Sequence, residues 1–206
     1  DYGTCDLSRI QPCKDSFLDG IRVIFKKNHR KEAIQFCGEL IKLGYKVFVQ
    51  LVSVTSYSDE EMLDLIRLAN AVKPYAVSMV DTYGLMHQSN IKHYYELLDK
   101  HLDGDIALGY HAHNNFQMGY ANCIELLSKQ TERMIVVDGS IYGMGKSAGN
   151  APLELIAMHM NQCYGKKYHI SQILEAIDAN ISIFYTPATW GYNMFYYIAA
   201  FNDCHP

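Results

Sequence analysis

Five short apolar runs, beginning near residues 21, 45, 75, 107 and 134, are separated by stretches of helical pattern so that successive starts fall about 24 to 32 residues apart. That rhythm constrains the chain more than any other feature. Parallel strands cannot be joined by a tight turn and need a crossover of a dozen or more residues, usually a helix. Ile21–Phe25 reads as the first strand. Arg30–Leu43 follows as a helix by the spacing of Ala33, Ile34, Phe36, Cys37, Leu40 and Ile41, with Gly44 closing it. Tyr45–Val54 is a strand rich in β-branched residues, as expected where both faces are buried. Ser58 followed by Asp59, Glu60 and Glu61 is an N-cap with an acidic first turn, opening a helix that runs to about Val72 and is closed by Pro74. Tyr75–Val80, a helix over Ser89–Leu102, Ala107–His113, a helix over Phe116–Lys129 and Met134–Val137 continue the alternation. A further helix is expected from Asn150 or Ala151 to Gln162, after the glycine turn 143–149.

The class is therefore α/β with parallel strands, and a doubly wound sheet and a TIM barrel both fit the order. No G-x-G-x-x-G follows the first strand, which removes the simplest dinucleotide-binding case. A complete (β/α)8 barrel takes roughly 250 residues and eight strands, so five strands are expected to be its C-terminal part. The chain opens on Asp1-Tyr2-Gly3 with no initiator methionine and stops after Pro206, and it reads as a fragment, expected to be inactive by itself. Residues 1–168 form the expected barrel domain, lacking its N-terminal strands, and 169–206 the start of a helical C-terminal region. A helix begins near His169, and Trp190–Phe201 is dense in aromatics. These are expected to pack on the core or on a further helical domain.

With 49% hydrophobic and 19% charged residues in 206, the chain can bury one sizeable core. A net charge of −4 and the absence of a basic stripe argue against nucleic acid as the partner. Lys26, Lys27, Arg30 and Lys31, the one dense basic run, suit a solvated loop and first helical turn. Six widely spaced cysteines without a C-x-x-C pair or a secretory leader read as reduced thiols of a cytoplasmic protein. No apolar run approaches the roughly 18 residues of a membrane span.

Three strand ends carry polar clusters at the same edge: Asp81-Thr82, His111-Ala-His113 and Asp138-Gly-Ser140. In barrels and open parallel sheets that edge is where sites sit. His111 and His113 leave one strand face side by side, and two neutral imidazoles there make half of a divalent metal site or, equally, an ordinary polar strand end. Asp81 and Asp138 are catalytic candidates, although Asp81 could as well cap the next turn. Gln50, on the second strand, is carried as a third catalytic candidate, and its position also suits a buried polar lining. The turn 143–149 could cradle phosphate or carboxylate through backbone N–H groups. It lacks Walker spacing around Lys146, which argues against ATP hydrolysis.

Val80-Asp-Thr-Tyr-Gly84, Gly109-Tyr-His-Ala-His-Asn-Asn115 and Gly143-Met-Gly-Lys-Ser-Ala-Gly-Asn-Ala-Pro-Leu-Glu154 occur in this order, and together they resemble strands six to eight of the DRE-TIM metallolyase superfamily. The match runs from about Ile21 to Leu155, strongest from Asp81 on, and looks most like the catalytic domain of the 4-hydroxy-2-oxovalerate aldolase type. HMG-CoA lyase and isopropylmalate synthase are more distant relatives. The resemblance implies a divalent metal, Mn²⁺ or Mg²⁺, held by His111, His113 and an aspartate of the family's first strand. In HMG-CoA lyase-like members the residue matching Asn150 is also a ligand, whereas the residues alone equally allow Asn150 to cap the following helix.

The activity so implied is retro-aldol cleavage of a 4-hydroxy-2-oxo acid to pyruvate and an aldehyde. A Claisen-condensing acyl-CoA synthase and a non-catalytic binding barrel stand as alternatives. A small-molecule 2-oxo acid substrate, an aldehyde dehydrogenase partner and a homodimer complete the expectations. The family's Asp-Arg-Glu motif is not in this chain, and residues 143–149 hold no cysteine where HMG-CoA lyase has its reactive one. HMG-CoA cleavage is accordingly disfavoured.

Overall fold

A computed structural model describes residues 1–186 and 188–204. Five strands, β1 (Gly20–Phe25), β2 (Lys46–Leu51), β3 (Ala76–Asp81), β4 (Ala107–Ala112) and β5 (Ile135–Asp138), form one sheet in sequential order. β1 pairs with β2, and β2 with β3, in parallel, with Ile24 opposite Gln50 and Gln50 opposite Ser78. The crossovers are helices α1 (Arg30–Lys42), α2 (Asp59–Val72), α3 (Gln88–His101) and α4 (Gly119–Leu127). After β5 come α5 (Leu153–Tyr164), α6 (Ile170–Asn180) and α7 (Met194–Phe201).

By compactness the chain divides into two units, one of Asp1–Val80, Lys92–Gly109 and Gln130–Val136, the other of Asp81–Ile91, Tyr110–Lys129 and residues from Val137 onward. In the first, the apolar spacing does what its period predicts. Ala33, Ile34, Cys37 and Leu40 of α1 and Met62, Leu65, Ile66 and Ala69 of α2 are buried, as are Val47, Val49 and Leu51 of β2. Removing such side chains from water contributes about 1.5–3 kcal/mol each. Ser58 and Glu61 close a reciprocal capping box at the start of α2, and Lys73 ends that helix in the left-handed region at φ 52°. Burial pushes the Cys37 thiol up to about 12, so it stays a protonated core residue.

One interaction that the sequence did not announce fixes the approach to β4. Arg133, with its side chain 6% exposed, donates to Asp99 Oδ1 at 2.8 Å and to the carbonyls of Asp99, Leu102, Asp103 and Ile106 at 2.7–3.1 Å. The last turn of a helix leaves carbonyls without intrahelical partners. A guanidinium with five donors in a fork satisfies them for α3 and the loop into β4.

Three boundaries depart from expectation. α4 starts at Gly119 rather than Phe116, because Gln117 is left-handed at φ 59° and Asn114 caps the turn, its Oδ1 accepting from Gly119 N at 3.0 Å. α5 starts at Leu153 rather than at 150 or 151, because Asn150 and Pro152 are taken into bridges with His113 and Ser140. The aromatic segment yields only the short α7, capped by Asn193, of which Ala199 and Ala200 are buried and Tyr197 packs its ring on Phe116 at 5.7 Å, while Phe195 is 74% and Phe201 71% exposed. Trp190 instead joins Ile177 and Ile181 in a small apolar cluster.

Candidate active site

The second unit gathers the ends of β3, β4 and β5 with the glycine turn. His111 Nδ1 lies 3.1 Å from Asp138 Oδ2, and His113 Nδ1 lies 3.0 Å from the backbone carbonyl of Asp81. A carbonyl can only accept, so Nδ1 of His113 carries the hydrogen and Nε2 keeps its lone pair. The Asp138 carboxylate oxygen engages the same ring nitrogen of His111 and leaves its Nε2 directed away from that contact. The two rings stand edge to face with centroids 5.2 Å apart. Burial, and then the neighbouring His111, push His113 down to about 4, so it is uncharged at neutral pH. Two imidazoles, each anchored through Nδ1, match the way histidines are prepared for metal ligation.

Asn150 completes the arrangement. It bridges His113 in antiparallel fashion, its backbone N–H donates to Gly143 O at 2.9 Å, and its side-chain amide donates to Met144 O at 3.0 Å. Its Oδ1 is buried with no hydrogen-bond partner. Buried acceptors left unsatisfied are uncommon and cost about 1–3 kcal/mol. Because α5 starts three residues later, with no side-chain cap, Asn150 does not cap it.

The turn is built to hold that amide. Tyr142, Gly143, Ser147 and Gly149 are all left-handed, and a Cβ at Gly145 would lie 2.6 Å from Asn150 Nδ2. A Cβ at Gly149 would collide with the carbonyl of Gly143. Gly149 O in turn accepts from Asn114 N at 2.8 Å, fastening the turn to the residue after His113.

Asp81 is 3% exposed, and its carboxylate accepts from Leu85 N at 2.8 Å and Met86 N at 3.0 Å. Burial raises it to about 6, against the lowering effect of those N–H groups and of the Tyr110 hydroxyl. Tyr110 is wholly buried and accepts from Asn122 Nδ2 at 3.3 Å, while the same amide donates to Met86 O at 2.6 Å. Sequence reasoning passed over Tyr110 and Asn122. A hydroxyl at an alternate position of an apolar strand was the available signal, since buried phenols seek polar partners. Gln50 belongs to the first unit. It is 2% exposed, donates to Ser78 Oγ at 3.1 Å and accepts from Arg22 at 3.0 Å.

The donors present fit a divalent metal: two imidazole Nε2 lone pairs and the orphaned amide oxygen of Asn150. Among the described residues no group of three or more His, Cys, Asp or Glu is assembled for a metal, so a third ligand from the described chain would be this amide. No described helix is long and apolar enough to cross a membrane.

A parallel sheet with crossover helices defines part of a (β/α)8 barrel, and the paired histidines stand at its strand ends. The N-terminal domain of a Bacteroides vulgatus protein has this fold, with a TM-score of 0.76 at 21% identity over 90% of this chain and 60% of that one. Residues 22–181 match the HMGL-like family model, and the chain belongs to that family, which bears out the DRE-TIM metallolyase resemblance. A 4-hydroxy-2-oxovalerate aldolase of Alkalilimnicola ehrlichii is 29% identical over 166 residues, 79% of this chain and 47% of the relative. An oxaloacetate decarboxylase of Mycobacterium tuberculosis is 26% identical over 80% of this chain and 48% of the relative. The chain thus spans about half the length of the curated relatives it matches.

Proposed function

We propose that the protein is a divalent-metal-dependent carbon–carbon lyase that cleaves a 4-hydroxy-2-oxo acid to pyruvate and an aldehyde. The observation that carries this reading is the buried, unpartnered Oδ1 of Asn150 beside two histidines whose Nδ1 positions are already engaged. His111, His113 and Asn150 would hold the ion. Mn²⁺ or Mg²⁺ bound there supplies Lewis acidity toward the 2-oxo acid. The aldolase named among the relatives supports this choice of reaction.

Within this reading the remaining residues position rather than react. Asp138 holds His111 in the tautomer that frees Nε2, and the carbonyl of Asp81 does so for His113. The carboxylate of Asp81 secures the turn 84–86 from which Asn122 is held, so we assign it a positioning role instead of proton transfer. Gln50 serves as a polar link between Arg22 and Ser78. The test uses the intact protein, wild type and His111→Ala/His113→Ala, assayed for bound metal and for pyruvate released from 4-hydroxy-2-oxovalerate. We expect the double variant to lose metal and turnover together. Unchanged metal stoichiometry in the folded variant, or no pyruvate from the metal-loaded wild type, would refute the proposal.

A further inference from the structure

We infer that Trp190 is a positioning residue for Asn150, acting through the strained backbone of Tyr142; the inference rests on the reading above and adds the C-terminal aromatic segment to the support of the site. Two consecutive left-handed residues precede the carbonyls that hold Asn150. Gly143 takes that backbone freely, whereas Tyr142, at φ 54° and ψ 27°, brings its Cβ against a carbonyl oxygen. A bulky residue stays in such a conformation only where its surroundings over-determine it. Tyr142 is held at both peptide ends and through its ring. Its N–H donates to Glu154 Oε2 at 3.0 Å, its carbonyl accepts from the Trp190 indole Nε1 at 3.0 Å, and its ring meets Tyr185 edge to face at 5.0 Å.

The indole is itself fixed. Trp190 is buried with Ile177 and Ile181, and its ring packs on Tyr185 at 4.9 Å. An indole N–H can only donate, and a buried one seeks an acceptor; this one finds it 48 residues back along the chain. The effect reaches Asn150 within two residues. Gly143 O accepts from Asn150 N at 2.9 Å and Met144 O from its Nδ2 at 3.0 Å. These are the two carbonyls next after that of Tyr142, so a return of Tyr142 to ordinary backbone would carry both away from Asn150. The same indole also lies at the other end of the turn, where a Cβ on Gly149 would come within 3.2 Å of its Cδ1. The buried, unpartnered Oδ1 of Asn150 keeps its direction only while Nδ2 keeps Met144 O.

The experiment measures dissociation constants for Mn²⁺ by calorimetry on the intact protein, at a temperature where every variant is folded. Trp190→Phe keeps an aromatic ring and removes the indole donor, and it should weaken binding about tenfold. Glycine adopts left-handed backbone without a Cβ penalty, so adding Tyr142→Gly to Trp190→Phe should recover most of that loss. Ile177→Ala removes volume from the same apolar cluster and spares the indole donor. It should lower the thermal midpoint and leave the Mn²⁺ constant at its wild-type value. Should Trp190→Phe fail to fold, Glu154→Ala, which releases the N–H of Tyr142, takes its place with the same expectation. Wild-type affinity in the variant that loses its hold on Tyr142, a loss that Tyr142→Gly does not recover, or an equal loss in Ile177→Ala overturns the inference while leaving the metal reading intact. A wild type that takes up no Mn²⁺ overturns that reading, and the inference with it.

Discussion

Asp81 and His113 are predicted to contribute opposite pH dependences to stability in the metal-free protein, and substituting either one should expose the other. Burial raises Asp81 from its ordinary 3.8 to about 6, so the folded chain holds a proton there that the unfolded chain has released. Its stabilising contribution is complete below pH 3.8 and lost as pH rises to about 6. His113 is lowered from 6.5 to about 4, so its contribution is complete above 6.5 and lost as pH falls to about 4. At 1.36 kcal/mol per unit, each amounts to about 3 kcal/mol, and over pH 4–6 the two nearly cancel. Urea unfolding at 0.15 M salt with chelator present, at half-unit steps from pH 4 to 7, measures the balance. Relative to wild type, Asp81→Asn should gain about 3 kcal/mol of stability between pH 4 and 6, and His113→Asn should lose about as much between pH 4 and 6.5. Differences from wild type that stay constant within 1 kcal/mol across the range would refute the assignment of these protonation states.

Two further outcomes follow from the hydrogen bonds. Asn150→Ala should leave the thermal midpoint near the wild-type value, since the lost Nδ2 bond to Met144 O is offset by removal of the buried, unpartnered Oδ1, yet weaken metal binding about 10–100-fold; a metal titration followed by calorimetry checks it, and unaltered affinity removes Asn150 from the site. Arg133→Leu should cost about 3 kcal/mol, because it strands the carbonyls at the end of α3 and the carboxylate of Asp99. Chemical denaturation of the intact protein measures this loss, with metal affinity expected to stay at its wild-type value.

What was legible in the sequence was whatever rests on local period and local capping. The β1 to β5 alternation, the Ser58–Glu61 box and the shared face of His111 and His113 each depend on residues a few positions apart. The roles that escaped depend on partners far along the chain. Arg133 reads as an ordinary surface cation until α3 folds against it, and Asn150 reads as a helix cap until the bridge to His113 delays α5. The exposed face of α7 escaped for the converse reason, since aromatic content predicts burial only where another surface is available to cover it.

The partners of Arg133 also carry a kinetic meaning. All of them precede it by 27 to 34 residues, so the carbonyls of α3 and of the loop into β4 must wait for the segment that becomes β5 before they are satisfied. Contacts that close a loop of this length are costly to form early, and we predict that this clasp forms after the rate-limiting step of folding. Its loss should therefore accelerate unfolding and leave the refolding rate largely unchanged.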